Sequence, residues 1–302
     1  MIKNSFLFLF SILACCLYAQ KDLHYLRLLH YSIESPASIH LQGRLSAKAG
    51  IGFALSNDDQ YINDEFTLCF YTKLFKFAVQ YKQEDDSYNS INRQSKKLSL
   101  NRYFKIRKKK DILSFGLGIK MLKYTISWDE FKWADQVDPT KGFTKPTYEI
   151  RVNNDLSVPS FDFACLYYNT KNNYFAGVII NDLTEPNTGF YGSIGAGTST
   201  PREIKLYGGY NYGIVKHLTT TSTLLLRSYN IHNDIFVKQD LIYKNKYWAA
   251  LETNLKSDFK IFLGIQPYKG WRWGLSADIQ PNPRSVHGNS NFYKLSLGYA
   301  LF

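Results

Sequence analysis

The sequence predicts an all-β protein, a transmembrane antiparallel β-barrel of about fourteen strands with long extracellular loops and short periplasmic turns. Three observations between residues 47 and 302 predict it. Short runs alternate between apolar and polar residues, and the gaps between these runs are alternately short and long. Aromatic residues are also abundant, with 23 Tyr, 21 Phe and 5 Trp in 302 residues.

The run at residues 292–302 shows the alternation clearly. Every second residue from Leu295 to Leu301 is apolar, and those between them are polar or small. Side chains alternate between the two faces of a strand, so one face can meet lipid and the other water. The same pattern predicts strands at residues 47–55, 65–73, 75–83, 96–104, 112–126, 161–169, 173–181, 203–212, 219–229, 234–243, 246–254, 259–266, 271–280 and 292–302.

The gaps between the predicted strands assign the two ends of the barrel. The five longest gaps are the first, third, fifth, seventh and last, so all of them fall at one end. Outer-membrane barrels have short periplasmic turns and longer external loops, and a soluble sandwich has no reason to sort its loops in this way. Both termini should therefore face the periplasm. The five long gaps are residues 56–64, 84–95, 127–160, 182–202 and 281–291.

Aromatic residues near the predicted strand ends suggest girdles at the two lipid interfaces, where a ring with a polar tip is favoured. The residues concerned are Tyr103, Tyr124, Tyr167, Tyr212, Tyr243, Tyr247, Trp248, Trp271 and Trp273.

The N-terminus predicts export. Lys3 precedes a short apolar core, and Leu17-Tyr18-Ala19 is a plausible cleavage motif, so residues 1–19 are expected to be a signal peptide. The apolar core is too short to span a membrane. Residues 20–46 would then form an extra strand, plug the lumen or contact periplasmic partners, and residues 47–302 would form the outer-membrane barrel.

Charge and motif content argue against several functions. The net charge is +12, but Lys and Arg are mostly scattered singly and no nucleic-acid-binding motif accompanies them. The six histidines are dispersed, so we predict no metal site and no cofactor. The acidic runs 58–59 and 84–86 fall in predicted outer loops, and we interpret them as solvent-exposed loop tips. No nucleophile-elbow motif is present, so we predict that the protein is not an enzyme.

A series of short segments runs through the chain in a fixed order. It consists of Ser35-Pro36-Ala37, the glycine-containing stretch 49–58, Leu98-Ser99-Leu100, residues 113–119 (LSFGLGI), residues 158–163 (VPSFDF), residues 174–178 (YFAGV), residues 247–251 (YWAAL) and Leu297-Gly298-Tyr299. The ordered series resembles the PorP/SprF family of type IX secretion system outer-membrane proteins.

The resemblance implies a non-enzymatic barrel in the bacterial outer membrane that takes part in protein secretion and gliding motility. Its partners would be outer-membrane lipid, secretion-system components and a secreted cargo protein with a C-terminal sorting domain, such as an adhesin. Nucleic acid is not expected as a partner. The alternative is a diffusion pore or substrate channel, because Lys76, Lys120, Lys238, Lys260 and Arg272 would give a cationic lumen that favours anions.

The loop at residues 127–160 is the best candidate for a partner-binding surface. It carries Trp128, Phe131, Trp133 and Phe143 among several acidic residues. Exposed aromatic residues with charged neighbours are typical of interface anchors. The same side chains could instead tuck into the mouth of the barrel as a lid.

Overall fold

The computed structural model describes residues 35–42, 45–55, 60–72, 76–88, 91–106, 111–127, 137–138, 142–143, 155–188, 199–230, 232–254, 259–267, 271–279 and 291–301. Within these residues the chain forms a short 3-10 helix, Pro36–Gln42, and sixteen strands. The predicted signal peptide lies outside the described residues. No helix in the described ranges has the length and hydropathy needed to cross a bilayer.

The strands are β1 (Leu45–Leu55), β2 (Gln60–Thr72), β3 (Phe77–Tyr88), β4 (Ile91–Ile106), β5 (Asp111–Ile126), β6 (Val137–Asp138), β7 (Gly142–Phe143), β8 (Asp155–Asn169), β9 (Tyr174–Asn181), β10 (Glu203–Val215), β11 (Leu218–Tyr229), β12 (His232–Tyr243), β13 (Tyr247–Asn254), β14 (Phe259–Ile265), β15 (Trp271–Ile279) and β16 (Asn291–Leu301).

Fourteen of these strands form one closed barrel, so the predicted fold class is confirmed. Every pairing is antiparallel, and β1 pairs with β16 to close the barrel. The strands β6 and β7 pair only with each other, within the connection between β5 and β8. Closure leaves no sheet edge among the barrel strands, as a membrane-spanning sheet requires.

The two faces of the barrel wall have opposite chemistry. On β5 the outward residues Phe115, Leu117, Ile119 and Met121 are all exposed, Leu117 at 58%. The buried polar residues of the other strands, such as Glu65 and Lys238, lie on the inward face. Apolar residues outside and polar residues inside are the reverse of a soluble core and match a barrel surrounded by lipid.

Several strands extend farther toward the outer end than predicted. Strand β3 continues to Tyr88 and β4 begins at Ile91, and β2 and β8 also begin early. Three of the five long gaps therefore shrink, to residues 56–59, 89–90 and 127–154. On β3 and β4 the sequence missed these extensions because the added outward residues, such as Ser87 and Asn92, are polar as well, so no alternation marks them. Residues 84–86 thus lie in a strand, which corrects their assignment to a loop tip.

Aromatic residues mark the short-turn end of the barrel, as the girdle prediction requires. The exposed rings of Tyr243 and Tyr247 have centroids 6.5 Å apart, and the exposed ring of Trp271 lies 5.0 Å from that of the half-buried Tyr299. The prediction was wrong for Trp248, which pairs across the sheet with the inward-facing Ile242 and lines a luminal cavity. Tyr103 is also not a girdle residue, because it is buried in the lumen.

Candidate functional site: a luminal segment and an ion-paired vestibule

The 3-10 helix, here called the luminal segment (Pro36–Gln42), lies inside the barrel. It packs against β2, β3, β4, β5 and β8. Ser35 caps its start, because the Ser35 hydroxyl accepts a hydrogen bond from Ala37 N at 3.2 Å and the Ser35 carbonyl accepts one from Ser38 N at 3.0 Å. Pro36 at the first helical position needs no N–H partner there. Residues 36–42 thus occupy the lumen next to the strands that follow them.

Two polar side chains of the barrel wall hold the luminal segment in place. Asn101 Nδ2 on β4 and Ser114 Oγ on β5 both donate to the Ala37 carbonyl, at 2.9 and 2.7 Å. Asn101 Nδ2 also donates to Ser114 Oγ at 2.7 Å. All three residues are buried. A buried carbonyl with two donors satisfies a group that would otherwise be costly to desolvate.

A glycine allows this close approach. A Cβ atom on Gly116 of β5 would lie 2.3 Å from the Pro36 carbonyl carbon and 2.4 Å from Ala37 N. Any side chain at Gly116 would therefore collide with the backbone of the luminal segment. The segments Ser35-Pro36-Ala37 and residues 113–119, which both belong to the ordered series in the sequence, are in contact here.

Apolar residues complete the packing around the luminal segment. Ala37 and Leu41 belong to a buried cluster with inward-facing residues such as Ile112, Leu166 and Tyr168. Ile39 packs in a second cluster with Cys69 and Ala78. Removal of this apolar surface from water favours the docked position. The segment is therefore fixed by both hydrogen bonds and burial.

We expect the pair Asn101 and Ser114 to be thermodynamically coupled. Asn101→Ala or Ser114→Ala leaves one donor on the Ala37 carbonyl and should cost about 1 kcal/mol, whereas the double variant removes both donors and should cost more than the sum. Thermal unfolding of the purified barrel, followed by gel mobility without boiling, measures this. Ser157→Ala, at an exposed position of β8, is the control. Strictly additive single and double variants would contradict the clamp.

Next to the luminal segment the lumen forms a polar vestibule. It contains cavities of about 270, 290 and 370 Å³. The cavities share lining residues: Lys48 and Glu65 line the first two, and Glu252 and Lys260 line the last two. Ten cationic and eight carboxylate side chains line the vestibule. The cations are Lys48, Lys82, Arg93, Lys97, Lys120, Lys205, Arg227, Lys260, Arg272 and Lys294; the carboxylates are Glu65, Glu84, Asp162, Asp182, Glu203, Asp234, Glu252 and Asp278.

Most of these charges form short ion pairs. Neighbouring strands are joined by Lys260–Asp278 at 2.9 Å and Arg227–Glu203 at 2.5 Å. Two further pairs reach past one intervening strand, Lys97–Asp162 at 2.5 Å and Lys120–Asp182 at 2.6 Å. The predicted cationic lumen is therefore corrected to a nearly balanced one. Of the predicted lumen residues, Lys76 is an exposed turn residue, with φ 51°, while the other four face inward.

Glu65 on β2 lies within 4.0 Å of three lysines, which belong to three different strands. Its Oε1 lies 2.9 Å from Lys48 Nζ on β1, and its Oε2 lies 2.5 Å from Lys294 Nζ on β16. Lys82 Nζ on β3 is 4.0 Å away, and the Thr67 hydroxyl donates to Oε1 at 3.3 Å. One carboxylate thus links the strands on both sides of the β1–β16 closure.

Of the four predicted partner-binding residues, the structure describes one. Trp128, Phe131 and Trp133 lie outside the described residues, and Phe143 lies in β7, where it pairs with Val137. The luminal residues Asn101, Ser114, Gly116 and Glu65 were not predicted as a site. The only sequence signal for them was that Ser114 and Gly116 fall in the LSFGLGI segment.

A family model described as "Type IX secretion system membrane protein PorP/SprF" matches residues 79–299, well over half of the chain. The match begins after the luminal segment, so the Ser35-Pro36-Ala37 segment lies outside it. No curated protein matches the sequence significantly.

The solved structures that resemble this barrel are membrane transporters and channels. The toluene transporter TbuX of Ralstonia pickettii is 6% identical with a TM-score of 0.55, and the alignment covers 89% of this chain and 93% of that one. The Pseudomonas putida toluene transporter TodX is 7% identical with a TM-score of 0.51, over 89% and 92%. The CymD monoaromatic hydrocarbon channel is 9% identical with a TM-score of 0.51, over 88% and 91%.

At such low identity these neighbours show the fold alone. Family and fold agree on the location, because the family model describes a membrane protein and the neighbours of the barrel are outer-membrane channels. The protein is therefore an outer-membrane β-barrel. The chain belongs to the PorP/SprF family of type IX secretion system membrane proteins.

Proposed function

We propose that this barrel is a docking component of the type IX secretion system. It would bind secretion-system components and a secreted cargo protein with a C-terminal sorting domain, such as an adhesin, and so assist its export or surface anchoring. The observation that carries the proposal is the luminal segment. A barrel whose lumen holds a clamped segment of its own chain is better suited to binding partners at its rims than to passing solutes.

The luminal side chains support the same conclusion. Above the luminal segment, Lys97 and Asp162 pair from β4 and β8, and Lys120 pairs with Asp182. Breaking a partly buried ion pair leaves a charge without its partner, which costs several kcal/mol. A solute would have to displace these pairs as well as the luminal segment. The diffusion pore is therefore the less favoured function.

The outer rim is the better candidate for a docking platform. Strands β3, β4, β5 and β8 extend to this end, and polar contacts tie them together. Asn63 Nδ2 donates to Asp86 at 2.5 Å, and the Thr125 hydroxyl donates to Asp155 at 2.6 Å. Such a rim would hold the connection at residues 127–154 on a rigid base, and partner-binding loops are commonly positioned in this way.

Co-isolation from crosslinked outer membranes tests the proposal. The wild-type barrel should recover secretion-system components and a cargo protein. Substituting alanine for Trp128, Phe131, Trp133 and Phe143 together should reduce cargo recovery at least tenfold, because buried aromatic anchors carry much of the energy of an interface. Tyr174→Ala, an exposed aromatic at the opposite end, is the matched control and should leave recovery unchanged. Recovery of the wild-type barrel alone would contradict the proposal.

A further inference from the structure

A second part of the lumen combines aromatic rings with charged side chains. Inward residues of β13–β16, β1 and β2 enclose a cavity of about 290 Å³, whereas the luminal segment packs mainly against β2, β3, β4, β5 and β8. This volume is near the lower limit of ordinary small-ligand pockets, about 300 Å³. The cavity reaches from mid-barrel to the short-turn end, where Trp248 and Arg272 lie one residue from the starts of β13 and β15.

Trp248 supplies an aromatic surface in this cavity. A Cβ atom on Gly264 of β14 would lie 2.0 Å from Trp248 Cε2 and Cζ2, so the indole covers the Gly264 backbone directly. A Cβ on Gly274 of β15 would lie 3.8 Å from the same Cζ2. The two glycines make room for the ring, which lines the cavity and remains partly exposed. Phe262, two residues before Gly264, adds a second ring to the lining.

Charged and hydroxyl groups surround these rings. Lys48, Lys260, Arg272 and Lys294 line the cavity together with two carboxylates, Glu65 and Glu252. Lys48 and Lys294 both pair with Glu65, and Lys260 pairs with Asp278 just outside the lining. With Asp278 counted, four cations face three carboxylates, so the cations are in excess by one. Ser276 and Ser296 add hydroxyl groups to the same wall.

This combination selects a class of ligand. A purely apolar ligand would displace water from the charged and hydroxyl groups of this wall and offer them no hydrogen bonds in return, which is costly. A simple anion would make no use of the indole. A sugar ring has an apolar C–H face that can stack on an indole and hydroxyl groups that can bond to Lys, Arg, Glu and Ser. An acidic group on the sugar would complement the excess of cations.

We propose that this cavity binds an acidic oligosaccharide, with one sugar ring stacked on Trp248 and its carboxylate held by the cations around Lys260 and Arg272. The site is independent of the docking function proposed above, because it lies in the lumen rather than at the outer rim. It also does not require the luminal segment to move, since none of the residues that line the cavity belongs to that segment.

Isothermal titration of the detergent-solubilised full-length barrel tests the site with three probes: trigalacturonate, the neutral maltotriose and the charged tripeptide triglutamate. The wild type should bind trigalacturonate saturably, maltotriose at least tenfold more weakly and triglutamate not measurably. Trp248→Leu should weaken trigalacturonate binding at least tenfold, because stacking on one aromatic side chain is worth about 1–3 kcal/mol in comparable base-stacking sites. Trp248→Phe, which keeps a ring, should lose only a few-fold.

Trp273→Leu is the matched control, because Trp273 lies on β15 but faces lipid, 56% exposed. It should bind like the wild type. Lys260→Gln should reduce the preference for trigalacturonate over maltotriose without abolishing binding, and this variant tests the site even if Trp248→Leu fails to fold. The proposal is overturned if the wild type binds neither trisaccharide, if triglutamate binds as tightly, or if Trp248→Phe and Lys260→Gln both leave binding unchanged.

Discussion

Replacing Glu65 by alanine should destabilise the barrel by about 3–5 kcal/mol, the usual cost of removing one partner from a buried ion pair. The Glu65 side chain is only 2% exposed and contacts Lys48 on β1 and Lys294 on β16. Both lysines are themselves largely buried, so each would keep a charge without its counter-ion. The lost stability weakens the β1–β16 closure, where the first and last strands of the barrel pair.

Thermal unfolding measures this effect through the loss of the compact, fast-migrating form on gels. The midpoint for Glu65→Ala should fall by roughly 10 °C, given about 2–4 °C per kcal/mol for a domain of this size. Asp155→Ala is the control, because Asp155 is 55% exposed and both its pair with Lys123 at 3.5 Å and its hydrogen bond from Thr125 are open to solvent. An exposed pair is worth about 0–1 kcal/mol. Equal midpoints for the two variants would show that Glu65 does not secure the closure.

Replacing Gly116 by alanine should displace the luminal segment. The new methyl group would lie 2.3 Å from a backbone atom of Pro36, and backbone cannot move aside as a flexible side chain can. Overpacking of this kind costs about 1–3 kcal/mol. The displaced state should therefore become roughly 10- to 100-fold more populated.

The native Cys69 reports this displacement, because its side chain is 1% exposed and packs with Ile39 of the luminal segment. Its rate of labelling by a water-soluble maleimide should rise 10- to 100-fold in Gly116→Ala. Gly213→Ala is the control, since a Cβ there would have no atom within 4 Å. Unchanged labelling in Gly116→Ala would mean that the segment is not seated against β5.

The sequence was sufficient to predict the barrel because its main signal is local. Alternation within a strand decides which residues meet lipid, as on β5 and β16, and tight turns often carry Asn, which tolerates positive φ. Asn173 before β9 and Asn245 before β13, with φ of 57° and 56°, are examples. The signal fails where both faces are polar, which explains the unpredicted outer extensions of β3 and β4.

The luminal site was not predictable because its contacts join distant parts of the chain. Ala37 meets residues 64 and 77 positions away, Asn101 and Ser114. Glu65 meets Lys294 only because the barrel closes. Trp248 was assigned to a girdle because it lies near a strand end. A shift of one residue along a strand reverses the face, and only the strand register shows that Trp248 points inward.

We propose that this barrel works by binding partners and that its luminal segment prevents solutes from passing through. Conductance of the purified protein in planar bilayers tests it most directly. The wild type should show no steady conductance steps over the range of applied voltage, whereas Gly116→Ala, with its luminal segment displaced, should show them. Steady open-channel steps in the wild type, unchanged in Gly116→Ala, would contradict the claim and favour a diffusion pore.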